Sequence, residues 1–133
     1  VVRPARADGS VASVVVGIDG SPASDLAIGF AFQEAGLRGV PVITLTTLDE
    51  TDRSLAEAVG AWSAKYPDVR VRQIFAPDMN PAQALVEASR DAAIVIVGHR
   101  GRGGFAGMVL GSVSRKVVDH AHCPVAVVRE IEE

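Results

Sequence analysis

A group of glycines stands where an apolar run gives way to a helical pattern. Gly98 and Gly101 follow the apolar residues 92–97, and nine residues then separate Gly101 from Gly111 and Ser112. Glycine allows the backbone to approach an anion closely. The N–H groups in the first turn of a helix point at such an anion. The segment therefore predicts a cradle for phosphate.

The same segment has a plainer interpretation as a glycine-rich surface loop without a ligand. Its position between an apolar strand and a helix favours the phosphate cradle. It is not a Walker A loop, because no Gly-Lys-Ser or Gly-Lys-Thr follows, and residues 17–20 lack the Gly-x-Gly-x-x-Gly spacing of a dinucleotide fingerprint. Arg100 and Arg102 add positive charge. Loop arginines often point into water, so the glycines carry the prediction.

Short apolar runs alternate with segments of helical spacing along the chain. Strands are predicted at 13–18, 40–48, 69–75, 92–97 and 124–129. The first helix is predicted to begin at Pro22, and Gly36 and Gly39 close it. Three further helices are predicted at 50–66, 81–90 and 113–121. This alternation predicts a parallel sheet with helices on both faces. Such sheets bind ligands beyond the carboxyl ends of their strands.

The loop after the first strand contains Asp19, Gly20 and Ser21. If the first and fourth strands are neighbours, this loop and the glycine segment flank one crevice, although local patterns leave that adjacency open. Asp19 itself has two interpretations. An Asp before Gly-Ser-Pro commonly shapes a turn. Alternatively it contacts a ligand, either through a metal ion that bridges phosphates or through a base or ribose.

The length of 133 residues predicts one domain, at 13–133, preceded by a tail or inter-domain linker at 1–12. The net charge of −3 argues against nucleic acid and anionic membrane as general partners. No apolar run approaches the roughly 20 residues of a membrane-spanning helix. Cys123 is the sole cysteine, so no internal disulfide can form. A reduced, cytoplasmic setting is therefore expected.

Residues 98–112 match the pattern Gly-2x-Gly-9x-Gly-Ser/Thr completely, and through it the chain resembles the ATP-binding branch of the universal stress protein family. The opening strand and loop at 14–21 look like those of the family. So do the third-helix entry at 80–82 with Leu85, and the closing segments at 112–114 and 120–125. The resemblance covers about 13–129, which is nearly the whole predicted domain.

The resemblance implies an α/β three-layer sandwich of the adenine nucleotide alpha hydrolase-like kind. Its five-stranded parallel sheet would have the order 3-2-1-4-5. It also implies ATP as the ligand, with Mg²⁺. The resemblance assigns nucleotide contacts to Asp19, Val42, Gly98, Gly101, Gly111, Ser112 and Val113, and the predicted site also includes their neighbours Ile18, Gly20, Arg100 and Ser114. Among these, Val42 matches a position whose backbone meets adenine, and Ser112 and Ser114 offer N–H and hydroxyl donors to phosphate.

The expected function is that of an ATP-binding regulator or switch in a stress response. The sequence offers no Ser-His-Asp arrangement and no base aimed at a water, so at most a slow ATPase is expected. The alternative is a nucleotide-independent dimeric interaction module of the same fold, which would lack the intact glycine-serine pattern. A phosphoacceptor receiver domain needs paired acids after strand one and a lysine after strand five. Here a single acid, Asp19, follows strand one, and Arg129 stands where a lysine would be needed after strand five.

The last strand is expected to lie at the edge of the sheet, where exposed backbone groups invite pairing. The family's usual dimer implies a homodimer through this strand, with Val125, Val127 and Val128 at the interface. Residues 1–12 resemble the linker before the second domain of tandem stress proteins. The partner of this edge is then either a second copy of the chain or a tandem domain.

Overall fold

The computed structural model describes residues 12–47, 53–99 and 111–129. The strands are β1 (Ser13–Gly17), β2 (Val42–Thr46), β3 (Val71–Phe75), β4 (Ala92–Gly98) and β5 (Val125–Val128). The helices are α1 (Pro22–Arg38), α2 (Arg53–Lys65), α3 (Pro81–Ser89) and α4 (Ser112–His120). Every predicted element is present. The predicted end of the second strand and start of the second helix lie outside the described residues, as does the predicted tail except for Ala12, which is buried.

The sheet is parallel throughout and has the strand order β3-β2-β1-β4-β5, which confirms the predicted topology. β1 pairs with β4, so that Val14 lies opposite Ile94 and Val16 opposite Ile96. The chain moves outward from β1 to β3 on one side and then crosses over to β4 and β5 on the other. The strand order therefore reverses between β1 and β4, and their carboxyl ends lie side by side.

Two layers of helices cover the sheet, because successive side chains of each strand point to opposite faces. Val14 and Val16 pack in one cluster with the buried side chains of α1 and α2. Val15 packs in a second cluster with α3 and α4. On the first face the helices approach closely, since a β-carbon at Gly29 of α1 would lie 2.6 Å from the ring of Trp62 of α2. The three-layer sandwich is therefore confirmed.

β3 and β5 form the two edges of the sheet. All four residues of β5 are half-buried, and they pack on the sheet face alternately with the first and second clusters. No helix in the described ranges is both long and apolar enough to cross a membrane.

Candidate functional site

The carboxyl ends of β1 and β4 meet where the strand order reverses, the place at which sheets of this kind form a ligand crevice, and the start of α4 comes back to this edge. β1 ends at Gly17 and β4 ends at Gly98. The backbone N–H of Gly111 donates to the carbonyl of His99 over 2.8 Å. The hydroxyl of Ser114 donates to the carbonyl of Gly98. The loop after β1 and the first turn of α4 are thus both placed at the carboxyl edge of the sheet, where parallel sheets bind ligands.

Hydrogen bonds to β2 and α1, together with a left-handed glycine, fix the loop after β1. Ile18 is buried, and its N–H donates to the carbonyl of Leu45 over 2.9 Å, which continues the pairing of β1 with β2. Gly20 has a φ of 81°, a conformation that side chains other than glycine rarely adopt. The N–H of Asp19 donates to Ser24 Oγ over 3.1 Å. The chain therefore turns sharply at the rim of the crevice.

Asp19 shapes this turn, as one of its two interpretations predicted. Its Oδ1 accepts a hydrogen bond from the N–H of Ser21 over 2.9 Å. A carboxylate has two oxygens with about four lone pairs, so a hydrogen bond within the loop is compatible with contact to a ligand. The two interpretations are compatible, and the turn also fixes the carboxylate at the rim.

Gly98 is required by the packing of α1 on β4. A β-carbon at this position would lie 2.8 Å from Ala23 Cβ, 3.1 Å from the Ala23 carbonyl carbon and 3.2 Å from its oxygen. Real β-carbons essentially never lie as close as 2.8 Å to another atom, and the backbone of a helix cannot move aside cheaply. The absent side chain therefore lets the first turn of α1 sit directly on the end of β4.

The start of α4 differs from the starts of α1 and α3. The Ser21 hydroxyl accepts from Ser24 N–H at the start of α1, and Asn80 Oδ1 accepts from two backbone N–H groups at the start of α3. α4 begins after Gly111, and no side chain among the described residues caps it. A helix start without a side-chain cap, and with a partial positive charge, suits an anion.

Three of the predicted phosphate contacts lie in this first turn. Ser112 is exposed, Val113 is half-buried and Ser114 is buried. Because a hydroxyl has one proton, the bond from Ser114 to Gly98 uses the donor that the sequence assigned to phosphate. That part of the prediction is corrected, and only the Ser114 N–H remains available to a ligand.

Val42 does not lie at this crevice, so its predicted contact with adenine is wrong. It begins β2 and is paired with Val14, at the amino end of β1. Its N–H donates to the carbonyl of Arg70, and its side chain is fully buried. Strands rise about 3.3 Å per residue, so the four-residue distance from Val42 to Thr46 spans roughly 13 Å. The prediction chose the wrong end of the strand.

Thr46 and Thr47 lie where the sequence prediction put Val42. Gly17 is paired with Leu45, which sets Thr46 level with Ile18 at the carboxyl edge. Thr46 is buried and Thr47 half-buried. Counting along the second strand to its carboxyl end would have found both residues, since in a parallel sheet all carboxyl ends share one edge. Arg100 and Gly101, also predicted contacts, lie outside the described residues.

A metal ion has no ready-made protein cage in the part of the chain that is described. No group of three or more His, Cys, Asp or Glu side chains there could hold one. Mg²⁺ commonly binds through one or two carboxylates together with substrate phosphates and water. Asp19 at the rim fits that mode of binding.

Comparison with known proteins gives a consistent result. The sequence model of the universal stress protein family matches residues 11–66 and 54–129. Universal stress protein Rv2005c of Mycobacterium tuberculosis is 45% identical over 136 residues, which cover 90% of this chain and 46% of that protein. Universal stress protein Rv1996 of the same organism is 42% identical over 149 residues, covering 96% and 46%. The chain thus spans about half the length of these curated relatives.

Solved structures of this fold include proteins with bound nucleotides. A universal stress protein in complex with cAMP is 31% identical, with a TM-score of 0.68, covering 89% of this chain and 96% of that one. The universal stress protein of Archaeoglobus fulgidus in complex with dAMP is 25% identical, with a TM-score of 0.65, covering 89% and 98%. The family model, the identities and the shared fold agree, and the chain belongs to the universal stress protein family.

Proposed function

We propose that this chain binds ATP and acts as a nucleotide-dependent regulator of a stress response in the cytoplasm. The observation that carries the proposal is the start of α4. Its first turn has no side-chain cap among the described residues, and it stands at the carboxyl edge of the sheet beside the Asp19 loop. The glycine-serine pattern supports it too, as do the relatives with bound cAMP and dAMP.

Different residues at the crevice would contact different parts of the nucleotide. The N–H groups of Ser112, Val113 and Ser114 suit the phosphates, because they lie at the positive end of a helix. Gly111 brings this turn close to the ligand, the glycine-serine pattern assigns Gly98 and Gly101 to the same cradle, and Arg100 adds positive charge beside them. Thr46 and Thr47 border the side of the crevice formed by β2.

Magnesium is proposed to accompany the triphosphate. When bound, Mg²⁺ would neutralise part of the charge of the phosphates. Asp19 supplies the carboxylate for it, since one of its oxygens already fixes the loop through Ser21. We assign no nucleophile, no general base and no catalytic role, and the proposed activity is binding and signalling.

The edge strand β5 is the proposed surface for pairing with a second domain of this fold. Its residues are half-buried, and no further strand covers it within the described sheet. Pairing by a second copy would give a homodimer through Val125, Val127 and Val128. A tandem domain in the same chain would use the same edge, and relatives about twice as long as this chain support that arrangement.

Titration with Mg²⁺–ATP tests the nucleotide proposal directly. Calorimetry should show saturable binding of one ATP per domain. Because a ligand that binds the folded state stabilises it, ATP at a hundredfold excess over Kd should add about 2.7 kcal/mol. For a domain of this size, that raises Tm by about 10 °C. GTP under the same conditions serves as the comparison nucleotide. Absence of both heat and stabilisation at millimolar ATP would refute the proposal.

Sedimentation velocity tests the edge-strand proposal. The chain at micromolar concentration should sediment as a dimer. The carbonyls of Pro124 and Val128 point toward β4, where they accept from the N–H groups of Val95 and His99. Because the backbone groups of successive residues in a strand point to alternate sides, the N–H of Val127 points away from β4. Val127→Pro should therefore yield a folded monomer, because proline removes an outward N–H from the edge. A wild-type chain that stays monomeric at every concentration contradicts the homodimer.

A further inference from the structure

Three hydrogen bonds meet where β4 passes into the crevice. The hydroxyl of Ser114 donates to the carbonyl of Gly98. The N–H of Gly111 donates to the carbonyl of His99 over 2.8 Å, and the N–H of His99 donates to the carbonyl of Val128 over 2.8 Å. The first two bonds join the start of α4 to the end of β4. The third joins the same segment to the end of β5.

The Ser114 hydroxyl has no proton left to donate to a phosphate in this arrangement. The side chain is only 3% exposed, and its single hydroxyl proton is used on the carbonyl of Gly98. Ser112, two residues earlier on the same turn, is exposed to solvent. The influence of the Ser114 hydroxyl on a ligand must therefore pass through the position of the turn to which it belongs.

We propose that Ser114 is a positioning residue of the crevice, and that the junction it closes couples the crevice to strand β5. The inference rests on the proposed function, because it concerns the same nucleotide site. Without the Ser114 hydroxyl, the first turn of α4 is joined to β4 through Gly111 alone among the bonds described above. Donors that are misplaced by a fraction of an ångström hold a phosphate poorly.

The coupling follows because Gly98 and His99 accept hydrogen bonds from the start of α4, while the N–H of His99 donates to the end of β5. A ligand that draws the first turn of α4 inward stabilises the bond from Gly111 to His99, and the next bond along the backbone holds Val128. Energetic coupling between two sites is reciprocal. Filling the crevice should therefore protect the end of β5 from opening, and fixing β5 should favour a filled crevice.

Amide hydrogen exchange, followed by NMR on the whole chain, tests the positioning role without any nucleotide. Ser114→Ala should speed exchange of the Gly111 and His99 N–H groups by about tenfold, since that factor corresponds to about 1.4 kcal/mol, within the range of one net hydrogen bond. Ser114→Thr keeps the hydroxyl and should restore slow exchange. Lys116→Ala, a control at an exposed position of the same helix beyond its first turn, should leave both rates unchanged.

Titration with Mg²⁺–ATP tests the effect on the site. Ser114→Ala should weaken ATP binding by about tenfold, and Ser114→Thr should bind like the wild type. In the wild type, saturating ATP should slow exchange of the His99 N–H several-fold. This last measurement needs no variant, so it decides the coupling even if Ser114→Ala fails to fold.

The possible outcomes separate this inference from the proposed function. A wild-type chain that does not bind ATP refutes the proposed function, and exchange in the free variants still decides whether Ser114 fixes the turn. Weakened ATP binding with unchanged exchange in free Ser114→Ala means that the hydroxyl contacts the nucleotide, which overturns the positioning role. Bound ATP that leaves His99 exchange unchanged in the wild type overturns the coupling.

Discussion

Replacing Ser112 by aspartate should remove ATP binding and at the same time stabilise the free domain. Ser112 is the first residue of α4, it is exposed, and the first turn contains no acidic residue. A carboxylate there lies at the positive end of the helix, an arrangement that contributes about 0.3–1 kcal/mol. The same carboxylate would stand where the proposed function puts the phosphates. Stability and binding are therefore expected to change in opposite directions.

The size of the binding loss follows from repulsion between like charges. Two unit charges 4 Å apart repel by about 1 kcal/mol in water and by about 4 kcal/mol at an effective dielectric constant of 20. A triphosphate carries several such charges, even when Mg²⁺ offsets part of them. We expect ATP binding to weaken by at least about a hundredfold, which corresponds to roughly 2.7 kcal/mol.

Ser112→Asn is the matched control, because asparagine has nearly the shape of aspartate without its charge. It should keep most of the ATP affinity. Calorimetry with Mg²⁺–ATP gives the affinities, and urea unfolding gives the stabilities of the free proteins. Equal ATP affinity in the two variants would show that the phosphates do not lie at the start of α4, and the proposed site would have to be abandoned.

Replacing Gly98 by alanine should destabilise the domain and disable the crevice together. The new β-carbon would lie 2.8 Å from Ala23 Cβ and 3.1–3.2 Å from the Ala23 carbonyl group. Relief requires α1 to move away from β4, because the obstacle is helix backbone. Overpacking of this kind costs about 1–3 kcal/mol. At about 2 kcal/mol, Tm should fall by about 7 °C for a chain of this length.

Gly98→Ala should weaken ATP binding, because hydrogen bonds connect the first turn of α1 to the Asp19 loop at the crevice. Ser24 N–H donates to the hydroxyl of Ser21, and Asp19 N–H donates to the hydroxyl of Ser24. A shift of α1 therefore moves the loop that forms one rim of the crevice. ATP binding should weaken with stability, in contrast to the opposite changes expected for Ser112→Asp.

Gly36→Ala is the matched control for Gly98→Ala. Gly36 lies in α1 and is exposed, and a β-carbon there would meet Tyr66 and Val69 at the ordinary distances of 3.8 and 3.9 Å. Alanine in place of a helical glycine should stabilise by about 0.5–1 kcal/mol. Thermal unfolding measures both variants. A Gly98→Ala protein as stable as Gly36→Ala would mean that α1 does not rest on β4 at this point.

The order and type of the elements could be predicted because local chemistry specifies them. Pro22 after a serine cap starts α1, Asn80 before proline starts α3, and the apolar run at 92–97 has the length and composition of a buried strand. Strand order is different, because it depends on which strands pair across long stretches of chain. Only the family resemblance supplied the adjacency of β1 and β4.

The structure brings most of the described residues of the predicted site to one edge of the sheet, and the exceptions have physical reasons. Val42 and Thr46 belong to one short strand, and its composition does not say which end faces a ligand. Ser112 and Ser114 are the same residue type on one helical turn, yet one is exposed and the other is bonded to Gly98. The contact of Gly98 with Ala23 joins distant parts of the chain, so no local pattern reports it.

The start of α4, which no side chain of the described residues caps, has a consequence for how long the protein survives. α1 and α3 carry their own caps, whereas α4 has none among the described residues, so under the proposed function the nucleotide completes this helix. Folded domains resist proteases in proportion to their stability, and a ligand adds to that stability according to its concentration. We expect the half-life of the domain to lengthen when ATP is plentiful and to shorten when it is scarce. Its abundance would then record the energy supply of the cell before any partner is engaged.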